Sequence, residues 1–122
     1  MHRVIHFEIS ANDPEKVVAF YKKVFGWKIE KWAGPMEYWM VTTGDSGPGI
    51  NGGFFKPVEP FNGTVNTIEV TNLDEMLEKV KNNGGQVAME KMAIPGVGYQ
   101  AYCKDVEGVL FGVHQADPNA GM

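Results

Sequence analysis

The first residues that could do chemistry lie in the segment VIHFEIS, residues 4–10, where His6 and Glu8 are two positions apart in an apolar run. The run alternates as a β-strand does, so both side chains share one face, with Cα atoms roughly 6–7 Å apart. An imidazole and a carboxylate at this spacing can hold a divalent metal ion or act as acid and base. Alternatively, the two side chains line a water-filled cavity and bond to each other, since a buried carboxylate requires a hydrogen-bond partner.

The elements that must position these residues occur twice along the chain in the same order. After the first strand, Asp13 and Pro14 favour a helix start and Gly26 favours its end. The second half begins about 60 residues later, with Asn72 at the helix start. The remaining predicted strands lie in WKIEKW, EYWMVTT, GINGGFF, TVNTIEV, QVAMEK, VGYQAYCK and GVLFGVHQ.

This order predicts an α+β fold of two tandem βαβββ modules that form a curled mixed sheet around a cleft. A length of 122 residues is the size of one domain. We expect a single domain over 1–122, with module one at about 1–60, module two at about 61–116 and a short polar tail. One helix covers only one face of each sheet, so the other face must meet a partner, a ligand or the other sheet.

Composition and charge exclude several classes of protein. A net charge of −4 without a Lys/Arg cluster argues against nucleic-acid binding. A single cysteine, Cys103, excludes an intrachain disulfide and favours the cytoplasm. No apolar run is long enough for a membrane span, and the N-terminal segment predicts a strand rather than a signal peptide.

Four segments carry a resemblance to a known family: HFEISANDPEKVVAFYKKVFGW, GINGGF, KVKNNGGQV and AYCKDVEGVLFGVHQ. They resemble the vicinal oxygen chelate superfamily, which includes glyoxalases, bleomycin resistance proteins and ring-cleaving dioxygenases. The similarity covers nearly the whole chain and is greatest to small proteins related to lactoylglutathione lyase. It implies a homodimer, and one divalent metal with His, Gln or Glu ligands from the first and closing strands of each module. Such a metal stabilises an enediolate, or binds a catechol and O₂.

Only one of the four ligand positions that the resemblance implies carries a usual ligand in this chain. The positions fall, in chain order, on His6, Gly52 or Gly53, Val65 (Thr67 if the register slips by two) and Gly112, where a metal enzyme has Glu. We therefore expect no cofactor at the standard set. The alternative is a divalent metal at a rearranged set of His6, Glu69 and His114, with or without Glu8. Strand alternation places Glu69 on the same face as Thr67, and His114 on the same face as Gly112.

Many aromatic residues lie on predicted strands, which favours a cavity for a flat or apolar small molecule. Tyr38 and Trp39 are neighbours on one strand, so only one of them can line it. Cys103 is expected to be a strand-packing residue rather than a nucleophile. The predicted cavity residues are His6, Glu8, Val65, Thr67, Glu69, Tyr99, Gly112 and His114.

The predicted function is small-molecule binding of the bleomycin-resistance type, without an essential metal. The alternative is a lyase or isomerase like glyoxalase I, with a rearranged metal site or with His6 and Glu8 as acid and base. A dioxygenase is less favoured, because the two-His-one-carboxylate triad is not at its family positions.

Overall fold

The protein is described by a computed structural model covering residues 2–34, 36–57, 61 and 63–122, and the elements follow the predicted order. The α+β fold of two βαβββ modules is confirmed. Within the described ranges, no helix is long and apolar enough to cross a membrane. The elements are β1 (Val4–Ser10), α1 (Pro14–Phe25), β2 (Lys28–Lys31), β3 (Tyr38–Thr42), β4 (Asn51–Phe55), β5 (Thr64–Glu69), α2 (Leu73–Asn82), β6 (Gln86–Ile94), β7 (Gly98–Lys104) and β8 (Leu110–Ala116).

Both modules use the same mixed strand pairing. In the first, β1 is parallel to β4, which is antiparallel to β3, and β3 is antiparallel to β2. In the second, β5 is parallel to β8, and β8, β7 and β6 follow as antiparallel neighbours. Glu8 lies opposite Gly53, and Thr67 lies opposite Gly112. Each pair spans 45 residues, from 8 to 53 and from 67 to 112, so Gly53 and Gly112 are equivalent positions of the repeat.

The chain divides into two compact units, which differ slightly from the modules. One unit is His6–Val65, and the other combines Met1–Ile5 with Asn66–Met122. The N-terminal residues contribute to the latter, because the Glu69 N–H donates to the Arg3 carbonyl at 2.9 Å.

Both helices begin where their sequences predict, and α1 also ends at the predicted glycine. The Asp13 side chain accepts from the Lys16 N–H at 3.3 Å, and Gly26 ends α1 in the left-handed conformation at φ 71°. The Asn72 side chain accepts from the Glu75 N–H at 3.0 Å to begin α2.

Helix α1 packs its apolar side on the sheet of the first module, with part of the set that helical spacing predicts, which is Val17, Phe20, Tyr21 and Val24. Helical spacing predicts Phe20 and Val24 on the packed side, yet these side chains are 55% and 54% exposed. Val17 and Tyr21 pack as predicted and Val18 joins them, so the packed side of the helix is centred nearer Val18 than expected. They pack against the cluster Ile29, Trp39, Val41 and Phe54.

Helix α2 covers one face of the second sheet in the same way. Its buried residues Leu73 and Leu77 pack with Ala101, Cys103 and Val113. Because strand side chains alternate, the helix-free face of this sheet carries the neighbours of these residues, and the first module repeats the arrangement. The candidate functional residues of each module are therefore sought on its own helix-free face.

Candidate functional site

In the first module, the helix-free face joins His6 on β1 to Tyr38 on β3. The Tyr38 hydroxyl lies 2.9 Å from Nε2 of His6. This contact is possible because β4 carries Gly53 beneath the tyrosine, where a Cβ would overlap the Tyr38 hydroxyl. Of the two neighbours Tyr38 and Trp39, Trp39 is buried in the α1 cluster, and Tyr38 lies on the helix-free face with His6.

Burial and a nearby carboxylate act on His6 in opposite directions. Removal of the ring from water lowers the His6 pKa from its ordinary 6.5, because burial disfavours the charged form. The negative charge of Glu8, two residues along the same face, raises it and so opposes this effect. The balance is a lowered pKa, so the imidazole is mostly neutral at neutral pH and can accept a proton.

Exposed aromatic and thioether groups lie beside the His6–Tyr38 pair. The ring of Trp32 meets that of Tyr38 edge-on, with centroids 6.4 Å apart and an interplanar angle of 81°. Trp32 and Met40 remain 38% and 44% exposed. An indole, a phenol and a thioether on one surface suit a flat apolar ligand.

The helix-free face of the second module carries a chain of hydrogen bonds. Nε2 of Gln100 donates to Oγ1 of Thr67 at 3.2 Å, and Oε1 of Gln100 lies 2.9 Å from Nδ1 of His114. Thr67 and Gln100 are 2% and 7% exposed. Gly112 makes room for them: a Cβ there would overlap Oγ1 of Thr67 and lie 2.7 Å from Nε2 of Gln100.

Tyr38 and Gln100 occupy equivalent positions in the repeat. Met40 pairs with Gly53, and Tyr102 pairs with Gly112, so Met40 and Tyr102 are equivalent. Tyr38 and Gln100 each lie two residues before these positions and are therefore equivalent as well. Each thus places a polar side chain over the glycine of its closing strand. The same register relates Glu8 to Thr67, which makes Val65 the counterpart of His6 and removes the ambiguity between Val65 and Thr67.

The other predicted cavity residues lie in several environments. Glu69 is opposite His114 in the β5–β8 pairing. Val65 is 1% exposed and apolar. Tyr99 packs with the α2 cluster, with the Lys91 ammonium 5.2 Å from its ring centroid, so it lies on the other face of β7 from Gln100.

Sequence reasoning did not single out Gln100. Its signal was present in the alternation GYQAYCK, where Gln100 is placed with Tyr102 on the face opposite Ala101 and Cys103. The partners of Gln100 on β5 and β8 are set by strand register, which that pattern does not contain.

The residues do not fit the metal that the resemblance implies. At the closing-strand position, Gly112 offers no donor, and Thr67 and Gln100 fill the space that a longer side chain would need. A threonine hydroxyl is also a poor substitute for the usual ligands of such sites, and the Gln100 amide is already hydrogen-bonded to Thr67 and His114. Among the residues described, no three His, Cys, Asp or Glu side chains are grouped closely enough to hold a metal ion.

Comparison with known proteins supports one family. The model of the Glyoxalase/Bleomycin resistance protein/Dioxygenase superfamily matches residues 3–113. No curated protein sequence matches the chain.

Similar solved structures share the fold at low identity. A hypothetical protein, BH1468 from Bacillus halodurans C-125, is 17% identical over 99% of both chains, with a TM-score of 0.73. The methylmalonyl-CoA epimerase of Mycobacterium tuberculosis is 14% identical over 94% of this chain and 88% of its own, with a TM-score of 0.71. A Streptomyces coelicolor methylmalonyl-CoA epimerase in complex with 2-nitronate-propionyl-CoA is 14% identical over 100% and 99%, with a TM-score of 0.70.

Proposed function

Because the chain belongs to the glyoxalase, bleomycin resistance protein and dioxygenase superfamily, we propose that it binds a small molecule without the standard metal of that family. One observation carries this proposal. At Gly112, the place of a ligand side chain is taken by the buried pair Thr67–Gln100. Both groups are neutral and bonded to each other, so they are not arranged to attract a cation.

The ligand is a flat, largely apolar molecule that contacts Trp32, Tyr38 and Met40. Trp32 and Met40 keep more than a third of their surface exposed beside Tyr38, so the three side chains offer a ligand an apolar surface. His6 and Glu8 lie on the same face and provide the polar contacts that orient such a ligand.

The experiment has two arms. Protein purified without a His tag is analysed for Ni, Zn, Mn and Fe, and ligand binding is followed by tryptophan fluorescence with and without EDTA. We expect less than stoichiometric metal, binding of flat aromatic compounds that EDTA leaves unchanged, and at least a tenfold loss of affinity in Trp32→Ala. The control is Trp27→Phe, a ring stacked on Tyr21 with centroids 4.9 Å apart. Stoichiometric metal that supports turnover would overturn the proposal.

A second candidate function is a lyase or isomerase reaction with His6 and Glu8 as acid and base. The observation that favours it is the neutral His6 imidazole held by the Tyr38 hydroxyl beside Glu8. A base of this kind removes a C–H proton next to a carbonyl, and the resulting enolate takes a proton back at the same or a neighbouring atom.

Its test is a panel of hemithioacetals, vicinal diketones and branched acyl-CoA thioesters. The thioesters are included because two of the similar structures are methylmalonyl-CoA epimerases. Exchange of the substrate C–H for deuterium in D₂O that is lost in His6→Gln supports the reaction. Unchanged activity in Glu8→Gln removes Glu8 from it, and no exchange with any substrate contradicts it.

The proposal includes a homodimer in the cytosol. Exposed Phe20, Val24 and Phe25 on α1 support association, and the single unpaired thiol of Cys103 suits a reducing compartment. Sedimentation equilibrium at several concentrations is expected to give twice the chain mass, and a monomer at all concentrations contradicts the dimer. Cell fractionation with a specific antibody is expected to recover the protein in the cytosol.

A further inference from the structure

We infer that Gln100 is a positioning residue that fixes the tautomer of His114, so that Nδ1 keeps a proton and Nε2 is the nitrogen that gains and loses one. The inference concerns the helix-free face of the second module, whereas the proposed function assigns its ligand contacts to the first. The hydrogen-bond geometry itself does not depend on that assignment.

The two ends of the Gln100 amide have different partners. The amide nitrogen, which can only donate, faces Oγ1 of Thr67 at 3.2 Å. The carbonyl oxygen, which can only accept, faces Nδ1 of His114 at 2.9 Å. A hydrogen bond between this oxygen and Nδ1 requires the proton to be on Nδ1.

The surroundings keep the amide in place. Gln100 is directly opposite His114 in the β7–β8 pairing, so the strand register aligns the two side chains. Gln100 and Thr67 are almost completely buried, so both ends of the amide need hydrogen-bond partners, and Thr67 and His114 provide them. Gly112 leaves the space through which the Gln100 side chain reaches Thr67.

This orientation matters for proton exchange. When His114 gains a second proton, Nδ1 still donates to the Gln100 oxygen, so no group has to turn. With the amide reversed, its NH₂ group would face the N–H of a protonated ring, and two donors would meet. Gln100 as placed therefore lets His114 accept a hydrogen bond or a proton at Nε2 and return to the same geometry.

The test is a long-range ¹H–¹⁵N correlation spectrum of ¹⁵N-histidine-labelled protein, recorded without ligand or metal. We expect the Nδ1–H tautomer for neutral His114, with an Nδ1 proton that exchanges slowly with water. His2, which is exposed, serves as the internal reference for an unconstrained ring. A wild-type spectrum with the proton of neutral His114 on Nε2 would overturn the inference.

Two variants separate positioning from general structure. Gln100→Glu keeps an acceptor beside Nδ1 and is expected to preserve the tautomer. Gln100→Met removes the acceptor and is expected to lose the slow proton and shift the pattern toward that of His2. An unshifted pattern in Gln100→Met contradicts the positioning role. If that variant does not fold, the wild-type and Gln100→Glu spectra still decide. Absence of ligand binding would refute the proposed function and leave these spectra interpretable.

Discussion

The amide nitrogen of Gln100 occupies the space above Gly112, 2.7 Å from where a Cβ on that residue would lie. The phenol of Tyr38 stands in the same relation to Gly53 in the other module. At both closing strands, a glycine is thus combined with a polar side chain from the neighbouring strand. Restoring one family ligand by a single substitution must therefore displace a neighbour as well.

Gly112→Glu, which restores the carboxylate of the metal enzymes, is expected to destabilise the protein without creating a metal site. The new side chain breaks the Thr67–Gln100 bond and overpacks a buried position, which costs about 2–4 kcal/mol of unfolding free energy. Urea denaturation measures the loss, and calorimetric titration with Zn²⁺ and Ni²⁺ is expected to show no binding.

The matched control is Gly44→Glu. This glycine is exposed, its φ is not in the left-handed range, and a Cβ there would be 3.9 Å from the nearest atom, the Ser46 carbonyl oxygen. We expect a change within about 0.5 kcal/mol. Equal stability of the two variants, or tight metal binding by Gly112→Glu, would show that position 112 is open.

The lowered His6 pKa predicts a specific pH dependence of stability. The folded state binds the proton more weakly than the unfolded state, whose pKa is near 6.5. The stabilisation is therefore fully present above that value and is lost as the pH falls through it toward the folded pKa. Urea denaturation between about pH 7.5 and pH 5 should show a smaller decrease in His6→Gln than in wild type.

Glu8→Gln tests the cause of this pH dependence. Removing the negative charge lowers the His6 pKa further, so we expect a larger loss of stability on acidification. A profile that is identical in wild type, Glu8→Gln and His6→Gln would contradict the assigned burial and charge effects.

The hydrogen bond between Tyr38 and His6 is expected to appear as a coupling energy. In a double-mutant cycle of Tyr38→Phe and His6→Ala, the unfolding free energies should be non-additive by about 0.5–1.5 kcal/mol. The control cycle combines Tyr21→Phe with His6→Ala, because the Tyr21 ring belongs to the α1 cluster. The unfolding free energies of this control cycle should be additive. Additivity in both cycles would mean that the 2.9 Å contact contributes nothing to stability.

Cys103 is expected to be unreactive in the folded protein. Burial raises the pKa of its thiol, and the negative charge of Glu90 adds to that effect, so little thiolate forms. A chromogenic disulfide reagent should modify no thiol in native protein and one per chain in denaturant. Cys103→Ser should cost about 1–3 kcal/mol of unfolding free energy, because it buries a hydroxyl in an apolar cluster. Rapid native labelling would contradict this placement.

Local signals in the sequence predicted the elements well, and most of the exceptions have local causes. Asp13, Gly26 and Asn72 mark helix ends through their own hydrogen bonds or backbone conformation. Strand β6 continues to Ile94, beyond the predicted QVAMEK, and its pairing with β7 shifts register twice. Such irregularities interrupt the period-two pattern from which a strand is predicted.

The candidate site was only partly predictable, because its contacts depend on strand register. Alternation alone placed His6 and Glu8 on one face. It did not show that Tyr38 reaches His6 across β4, or that Gln100 joins Thr67 to His114. Those pairings follow from which strands are neighbours and how far each is shifted, which a single strand does not encode.

The parallel pairing of first and closing strands has a consequence for synthesis on the ribosome. His6 pairs with Asn51, and Thr67 pairs with Gly112. The first strand of each module, here called its opening strand, therefore pairs with residues that are synthesised 45 residues later. Until then its edge has no such neighbour, and closing so long a loop carries an entropic cost that slows assembly. The nascent chain thus emerges with each opening strand exposed to chaperones and to other chains, and each module is completed only when its closing strand leaves the exit tunnel.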